Sequence, residues 1–120
     1  MPVTLNQSTV TVFKPQGHLN ATNADAFRSQ LIAVLSSPQD SILLVDLEQV
    51  QSVDSSGLMV FISALKQSRN LGRRFSLCSV PSAVKIVFEL TQMDRVFEIF
   101  DDYAAFQAEV GSIELNLRNF

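Results

Sequence analysis

The alternation of strand-like and helix-like segments in this chain of 120 residues predicts an α/β fold with a single domain. Hydrophobic residues make up 47% and charged residues 18% of the composition, which is typical of a folded globular chain. A continuous apolar run at residues 42–45 indicates a strand covered on both faces, as at the centre of a parallel sheet. We therefore expect, over residues 1–110, a mixed but mostly parallel sheet with an N-terminal hairpin and about four flanking helices.

The first third of the chain contains the expected hairpin and the first helix. Residues 3–5 and 9–13 are short and rich in β-branched side chains, and the polar residues between them suit a hairpin. Pro15 and Gly17 end the second of these strands. From Thr22 onwards the apolar residues follow helical spacing and predict a helix. They are Ala24, Phe27, Leu31, Val34 and Leu35.

The middle of the chain contains the central strand and a second helix. The strand at residues 42–45 stops at Asp46, and the helix is expected over residues 56–70, with Leu71-Gly72 as its stop. The apolar face of this helix comprises Leu58, Phe61, Ile62 and Leu65.

The last third of the chain predicts two strands, two helices and a tail. Residues 75–77 and Val80 alternate as in a strand, and Pro81 suits the first turn of the helix that follows. Residues 96–100 form another strand candidate, and Asp101 or Asp102 is expected to cap a last helix. In the tail at residues 111–120 we expect an edge strand or a partner-docking segment, because three apolar residues alternate there: Ile113, Leu115 and Leu117.

Charge and residue counts exclude several classes of function. Nine basic residues against twelve acidic ones give a net charge of −3, which argues against binding to nucleic acid or to an anionic membrane. The single cysteine, Cys78, and the single histidine, His18, exclude an internal disulfide and a cysteine or histidine metal cluster. The sequence has no run of 18 apolar residues and no secretory signal pattern. We expect a cytoplasmic protein without membrane insertion and without a cofactor.

The segment at residues 46–58 is the candidate functional site, because it joins the end of the buried strand to the start of the second helix. Ser55 and Ser56 lie where free N–H groups and the helix dipole favour an anion, and Gly57 leaves those groups open to approach. A phosphoryl group on either serine would lie beside Asp54 and would disturb a surface that fits the unmodified loop. The other interpretation is an ordinary helix cap.

This segment also resembles a known family. The run VDSSGL at residues 53–58, after Asp46-Leu47, resembles the signature of the STAS domain, in particular that of bacterial anti-sigma factor antagonists. Residues 17–21 resemble the family's turn before the first helix, and residues 72–77 and 84–97 resemble its later elements in the same order. The resemblance covers about residues 3–110 and implies a STAS fold.

The resemblance implies that Ser55, which directly follows Asp54, is the phosphate acceptor. In that family the unphosphorylated protein binds an anti-sigma factor that is itself a serine kinase, and binding releases the sigma factor. Phosphorylation ends the binding, and a serine phosphatase restores it. Two positions depart from the pattern: Asn20 stands where aspartate is common, and Glu48 where serine or threonine is frequent. Asn20 removes the negative charge that an aspartate would give to this turn, which contacts the kinase in the family.

The expected partner-binding residues are Asn20, Leu58, Met59 and Val60, beside the switch residues Asp54, Ser56 and Gly57. Met59 is expected on a partner surface rather than in the core, because a flexible thioether next to the switch adapts to a partner. Phe61 and Ile62 are assigned to the core. A basic cluster follows, which is either a solvated helix end or a contact for an acidic partner. It consists of Lys66, Arg69, Arg73 and Arg74.

Three alternatives to the switch remain. A hydrolase triad of His18, Asp54 and Ser55 lacks a Gly-x-Ser-x-Gly motif, and Asp46 with Asp54 is weak evidence for Mg²⁺. Within the same fold, the alternative is a scaffold subunit of a signalling assembly or an accessory subunit of a transporter. For the phosphorylation switch itself, a monomer or weak homodimer is expected.

Overall fold

The computed structural model describes residues 9–36 and 40–118, which form six strands, four α-helices and one short 3₁₀ turn. The strands are β1 (Thr9–Phe13), β2 (Gly17–Leu19), β3 (Asp40–Asp46), β4 (Val50–Val53), β5 (Arg74–Cys78) and β6 (Glu98–Phe100). The α-helices are α1 (Ala24–Leu35), α2 (Ser55–Asn70), α3 (Ser82–Leu90) and α4 (Tyr103–Arg118), and the 3₁₀ turn is Met93–Arg95.

The main sheet has the strand order β1-β3-β5-β6, and all of its described pairs are parallel. Its centre is β3, whose residues 42–46 are buried, as the continuous apolar run predicts. In the N-terminal region, β1 pairs with β3 in parallel. The first strand of the expected hairpin, at residues 3–5, lies outside the described residues.

A second pair, β2 with β4, forms a short parallel ribbon beside the main sheet. No strand was expected between the buried strand and the second helix, and β4 lies there. The strand is only four residues long, and its two buried side chains, Val50 and Val53, are three positions apart. That spacing breaks the two-residue alternation by which a half-buried strand is recognised.

Helices cover both faces of the main sheet. Alternate residues of β3 point to opposite faces, so that Leu43 and Val45 join the large core while Ile42 and Leu44 face α4. The large core contains side chains of α1, α2 and α3, centred on Phe27, Phe61 and Phe88. The smaller core contains Phe106 and Val110 of α4 and the fully buried Cys78.

An ion pair joins β5 to β6 near α4. The guanidinium of Arg74 donates to both carboxylate oxygens of Glu98 at 2.8 Å, and the hydroxyl of the buried Ser76 donates to the same carboxylate. Hydrogen bonding from Arg74 lowers the pKa of Glu98 against the opposing effect of burial. Arg74 also lies 3.9 Å from Glu109 of α4. Arg74 is therefore part of an internal network rather than a solvated helix end.

The C-terminal region differs from the sequence expectation in two respects. The strand expected at residues 96–100 is shorter, beginning at Glu98, because residues 93–95 form the 3₁₀ turn. The edge strand expected at residues 111–120 is wrong, since the backbone of residues 111–118 continues α4. Positions 106, 110, 113 and 117 are apolar and lie three or four residues apart, and this helical spacing competes with the alternation at 113, 115 and 117.

In the part of the chain that the structure describes, no helix combines the length and the apolar character needed to cross a membrane.

Candidate functional site

The candidate site is the first turn of α2, which begins at Ser55 directly after β4. Asp54 is the N-cap of this helix: its Oδ1 accepts a hydrogen bond from the N–H of Gly57 at 3.1 Å. The carbonyl oxygen of Asp54 accepts a second bond, from the N–H of Leu58 at 2.9 Å. The N–H groups of Ser55 and Ser56 have no hydrogen-bond acceptor among the described residues.

The β2–β4 ribbon fixes where this helix begins. Leu19, the last residue of β2, pairs with Val53, the last residue of β4. One more hydrogen bond extends the pairing of the two strands beyond Val53: the N–H of Asp54 donates to the carbonyl oxygen of Leu19 at 3.0 Å. The N-cap of α2 is therefore attached to the end of β2, and the turn that follows β2 lies beside it.

Gly57 allows close packing between α2 and β2. A Cβ atom added at this position would lie 2.5 Å from the carbonyl oxygen of Leu19 and 3.0 Å from its Cβ. The expected role of Gly57 was to leave the helix N–H groups open to approach. The structure shows a different role, because the space that a side chain would fill is occupied by Leu19 itself.

The turn after β2 is held by two asparagine side chains. The Oδ1 of Asn20 accepts from the N–H of Thr22 at 3.0 Å, and the Oδ1 of Asn23 accepts from the N–H of Asn20 at 3.0 Å. The side-chain amide of Asn23 donates to the carbonyl oxygen of His18 at 2.6 Å. Asn20, predicted from the sequence as a partner contact, therefore lies in an ordered turn that begins one residue after the acceptor of the Asp54 N–H.

The first two turns of α2 divide into an exposed face and a buried face. Ser55 is exposed and Ser56 half-buried, while 52% of Met59 is accessible. Ser55 and Met59 are one turn apart on the same face of the helix. Leu58 and Val60 were expected to border a partner surface, but they are 7% and 1% exposed and belong to the large core. That part of the prediction is wrong, since the first helical turn packs on β2.

The structure does not join His18 to Ser55. The Nδ1 atom of His18 lies 2.6 Å from the hydroxyl oxygen of Ser52, its register partner on β4. This contact was missed from the sequence because neither short strand was recognised there. Asp46 and Asp54, suggested as Mg²⁺ ligands, each accept a backbone N–H instead. Within residues 9–36 and 40–118, no group of three or more side chains suited to a metal ion occurs.

Comparison with known proteins identifies the family of this chain. The model of the STAS domain matches residues 1–105. A Thermotoga neapolitana protein, provisionally named as an anti-sigma factor antagonist homolog, is 33% identical over 102 residues, which are 84% of this chain and 89% of that protein. The anti-sigma F factor antagonist of Paenibacillus polymyxa is 24% identical over 78% of this chain and 80% of its own length. The crystal structure of a Thermotoga maritima protein, also named provisionally as an anti-sigma factor antagonist, superposes with a TM-score of 0.77. The two chains are 30% identical, and the match covers 84% of this chain and 86% of that one.

Proposed function

Because this chain belongs to the STAS domain family, we propose that it is an anti-sigma factor antagonist whose partner binding is switched by phosphorylation of Ser55. It is a cytoplasmic binding module rather than an enzyme. The names of its relatives support the antagonist function. The observation that supports the switch is that Ser55, the first residue of α2, is exposed one turn from the exposed apolar side chain of Met59.

The first turn of α2 can accommodate a phosphate without rearrangement. The N–H groups of Ser55 and Ser56 lack acceptors in the described part of the chain, and the positive end of the helix dipole lies there. Attachment to the Ser55 hydroxyl disturbs no hydrogen bond of the cap, because the cap is made by Asp54. The modified protein therefore keeps its fold.

The same phosphate opposes binding of a partner. A phosphoserine adds about −1.5 to −2 charges at pH 7, beside the carboxylate of Asp54 and on the face that exposes Met59. A partner that covers Met59 in the unmodified protein would have to desolvate this charge, which costs several kcal/mol when no cation pairs with it. We expect phosphorylation to weaken binding by about a hundredfold or more.

The proposed partners are an anti-sigma factor with serine kinase activity and a serine phosphatase. The partner surface comprises Met59 and the turn at Asn20, which the Asp54–Leu19 hydrogen bond holds next to the serine. Asn20 is neutral, so this turn contributes hydrogen-bonding groups to the kinase contact and no charge.

The experiment begins with mass spectrometry of the intact protein from its native cells under several growth conditions. The anti-sigma factor kinases of the same cells are then purified and tested for phosphorylation of the protein and for binding by calorimetry. Ser55→Ala is expected to abolish phosphorylation and to keep binding, and Ser55→Asp to weaken binding. Ser82→Ala is the matched control, since Ser82 is also an exposed serine at the first position of a helix.

Three results would contradict the proposal. If Ser55→Asp binds as tightly as the wild type, the switch mechanism is wrong, whatever the partner. If no phosphate is found on Ser55 and the protein co-purifies with a very large assembly or with a transporter, the protein is a scaffold or accessory subunit with the same fold. Phosphate on Ser56 alone would move the acceptor by one position.

A further inference from the structure

A cleft of about 460 Å³ opens at the carboxyl ends of β1, β3 and β5, and the start of α4 forms part of its lining. The carboxyl ends of parallel strands are where open α/β sheets collect their ligands. None of the residues that line the cleft belongs to the Ser55 site. The residues on which the inference depends are Val12, Lys14, Asp46, Glu48, Asp102 and Tyr103.

The buried wall of the cleft contains a carboxylate, that of Asp46, one oxygen of which is held only by an ion pair. Only 9% of the Asp46 side chain is accessible. Its Oδ1 accepts the N–H of Glu48 at 3.0 Å, whereas its Oδ2 accepts no hydrogen bond from the described residues. The nearest cation is the ammonium of Lys14, 3.7 Å from Oδ2, which is beyond hydrogen-bonding distance. A carboxylate oxygen this deeply buried normally accepts a hydrogen bond as well.

The charge of the cleft favours a cation. Asp46, Glu48 and Asp102 contribute three carboxylates and Lys14 one ammonium, so the lining carries a net charge of −2. The N-terminus of α4 does not offset this, because Asp102 itself caps the helix by accepting the N–H of Ala105 at 2.8 Å. An anion entering here would meet the carboxylates before it met a free N–H group.

Apolar and aromatic walls flank these charges. Val12 is 40% and Tyr103 42% accessible, and both line the cleft. An aromatic face beside a carboxylate suits an ammonium or guanidinium group, which gains both a charge-assisted hydrogen bond and a cation–π contact. The volume is within the range of small-molecule sites.

We propose that this cleft binds a small organic cation, whose ammonium or guanidinium group donates to the Oδ2 atom of Asp46 in place of Lys14. Val12 and Tyr103 cover the carbon chain of the ligand, and Glu48 and Asp102 hold its second polar end. Lys14 competes with the ligand for the same carboxylate. This competition gives the proposal a consequence of unusual sign, because removing a side chain that lines the site should strengthen binding.

The test uses the full chain and agmatine, which has an ammonium at one end and a guanidinium at the other. Its binding is followed by the chemical shifts of backbone amides in ¹⁵N-labelled protein. We expect agmatine to shift selectively the amides of Glu48, Tyr103 and Ser79, a third residue that lines the cleft. Asp46→Asn should raise the Kd at least about tenfold, since the charge-assisted hydrogen bond is lost. Lys14→Met should lower the Kd about two- to fivefold, as expected for removing a half-exposed competing cation.

Asp25→Asn is the matched control, because Asp25 is another aspartate paired with a cation, Arg28 at 3.3 Å, on the surface of α1. Its Kd should equal that of the wild type. Glu48→Gln, which changes an exposed side chain, tests the site independently if Asp46→Asn does not fold, and it should weaken binding.

Four outcomes would overturn the proposal. The first is the absence of selective amide shifts at 10 mM agmatine, and the second is an equal rise of the Kd in Asp25→Asn and Asp46→Asn. The third is a higher Kd in Lys14→Met than in the wild type, and the fourth is that inorganic phosphate shifts the same amides more strongly than agmatine. None of these outcomes depends on Ser55, so the proposed phosphorylation switch is tested separately.

Discussion

Replacing Gly57 with alanine tests whether the packing of α2 on β2 positions the serine site. In the wild type, the Cβ atom of an alanine would lie 2.5 Å from the carbonyl oxygen of Leu19, 0.9 Å short of the 3.4 Å at which ordinary contact begins. The obstacle is backbone, and the same backbone group accepts the N–H of Asp54. Neither side can rotate away, so the first turn of α2 has to move off the ribbon.

The two contributions to the stability of Gly57→Ala have opposite signs. Helix propensity alone would stabilise the folded state by about 1 kcal/mol, because alanine loses less backbone entropy than glycine. Overpacking of a fitted contact costs about 1–3 kcal/mol, and a shift of the first turn also loosens Leu58 and Val60 in the core. We expect the clash to dominate, with a net loss of about 1–2 kcal/mol in the free energy of unfolding.

The assay is urea denaturation followed by circular dichroism, with thermal unfolding as a second measurement. A loss of this size should lower the Tm by about 4–8 °C. Ser63→Ala, a half-buried position in the interior of the same helix, is the control and should leave the stability unchanged or slightly higher. If Gly57→Ala is as stable as the wild type, the contact between α2 and Leu19 does not constrain the helix, and our account of how Ser55 is positioned fails.

Two further predictions concern the cap and the internal ion pair. Asp54→Ala should lower the free energy of unfolding by about 1 kcal/mol, because the N–H of Gly57 loses its acceptor. Asp54→Asn keeps an acceptor and should lower it less. Equal losses in urea denaturation would refute the role of Asp54 as the cap. Hydrogen bonding from Arg74 lowers the pKa of Glu98 below its ordinary value of 4.5. The ionised carboxylate therefore stabilises the fold fully above pH 4.5, and this contribution is lost as the pH falls through the lowered pKa. Glu98→Gln should therefore flatten the decline in stability below pH 4.5, and Glu89→Gln, an exposed control on α3, should not.

The sequence predicts the parts of the fold that depend on long or strongly patterned segments. The helices at Ala24–Leu35 and Ser55–Asn70 and the central strand β3 follow from apolar spacing, and the structure confirms all three. The strands β2 and β4 contain three and four residues, too few for a period to be recognised. Their pairing is a tertiary contact that local pattern does not encode.

The same distinction applies to the site. The position of Ser55 and Asp54 at a helix N-terminus follows from local residue preference. The burial of Leu58 and Val60 does not, because an apolar residue in the first turn can face either a partner or a neighbouring strand. Which of the two occurs is decided by Leu19, 39 positions earlier than Leu58 in the chain. The cleft at Asp46 could not be predicted from the sequence either, because its lining comes from four separate segments of the chain.

The architecture of the site favours a switch that acts through charge rather than through refolding. Three hydrogen bonds donated by backbone N–H groups fix the residues around the proposed acceptor. Asp54 N–H donates to the Leu19 carbonyl, Gly57 N–H to the Asp54 side chain, and Leu58 N–H to the Asp54 carbonyl. None of them uses the Ser55 hydroxyl, and the packing at Gly57 holds the turn against β2. A phosphate on Ser55 would therefore change the electrostatic potential of an otherwise fixed surface, and the proposed partner, which covers Met59 in our proposal, would lose affinity.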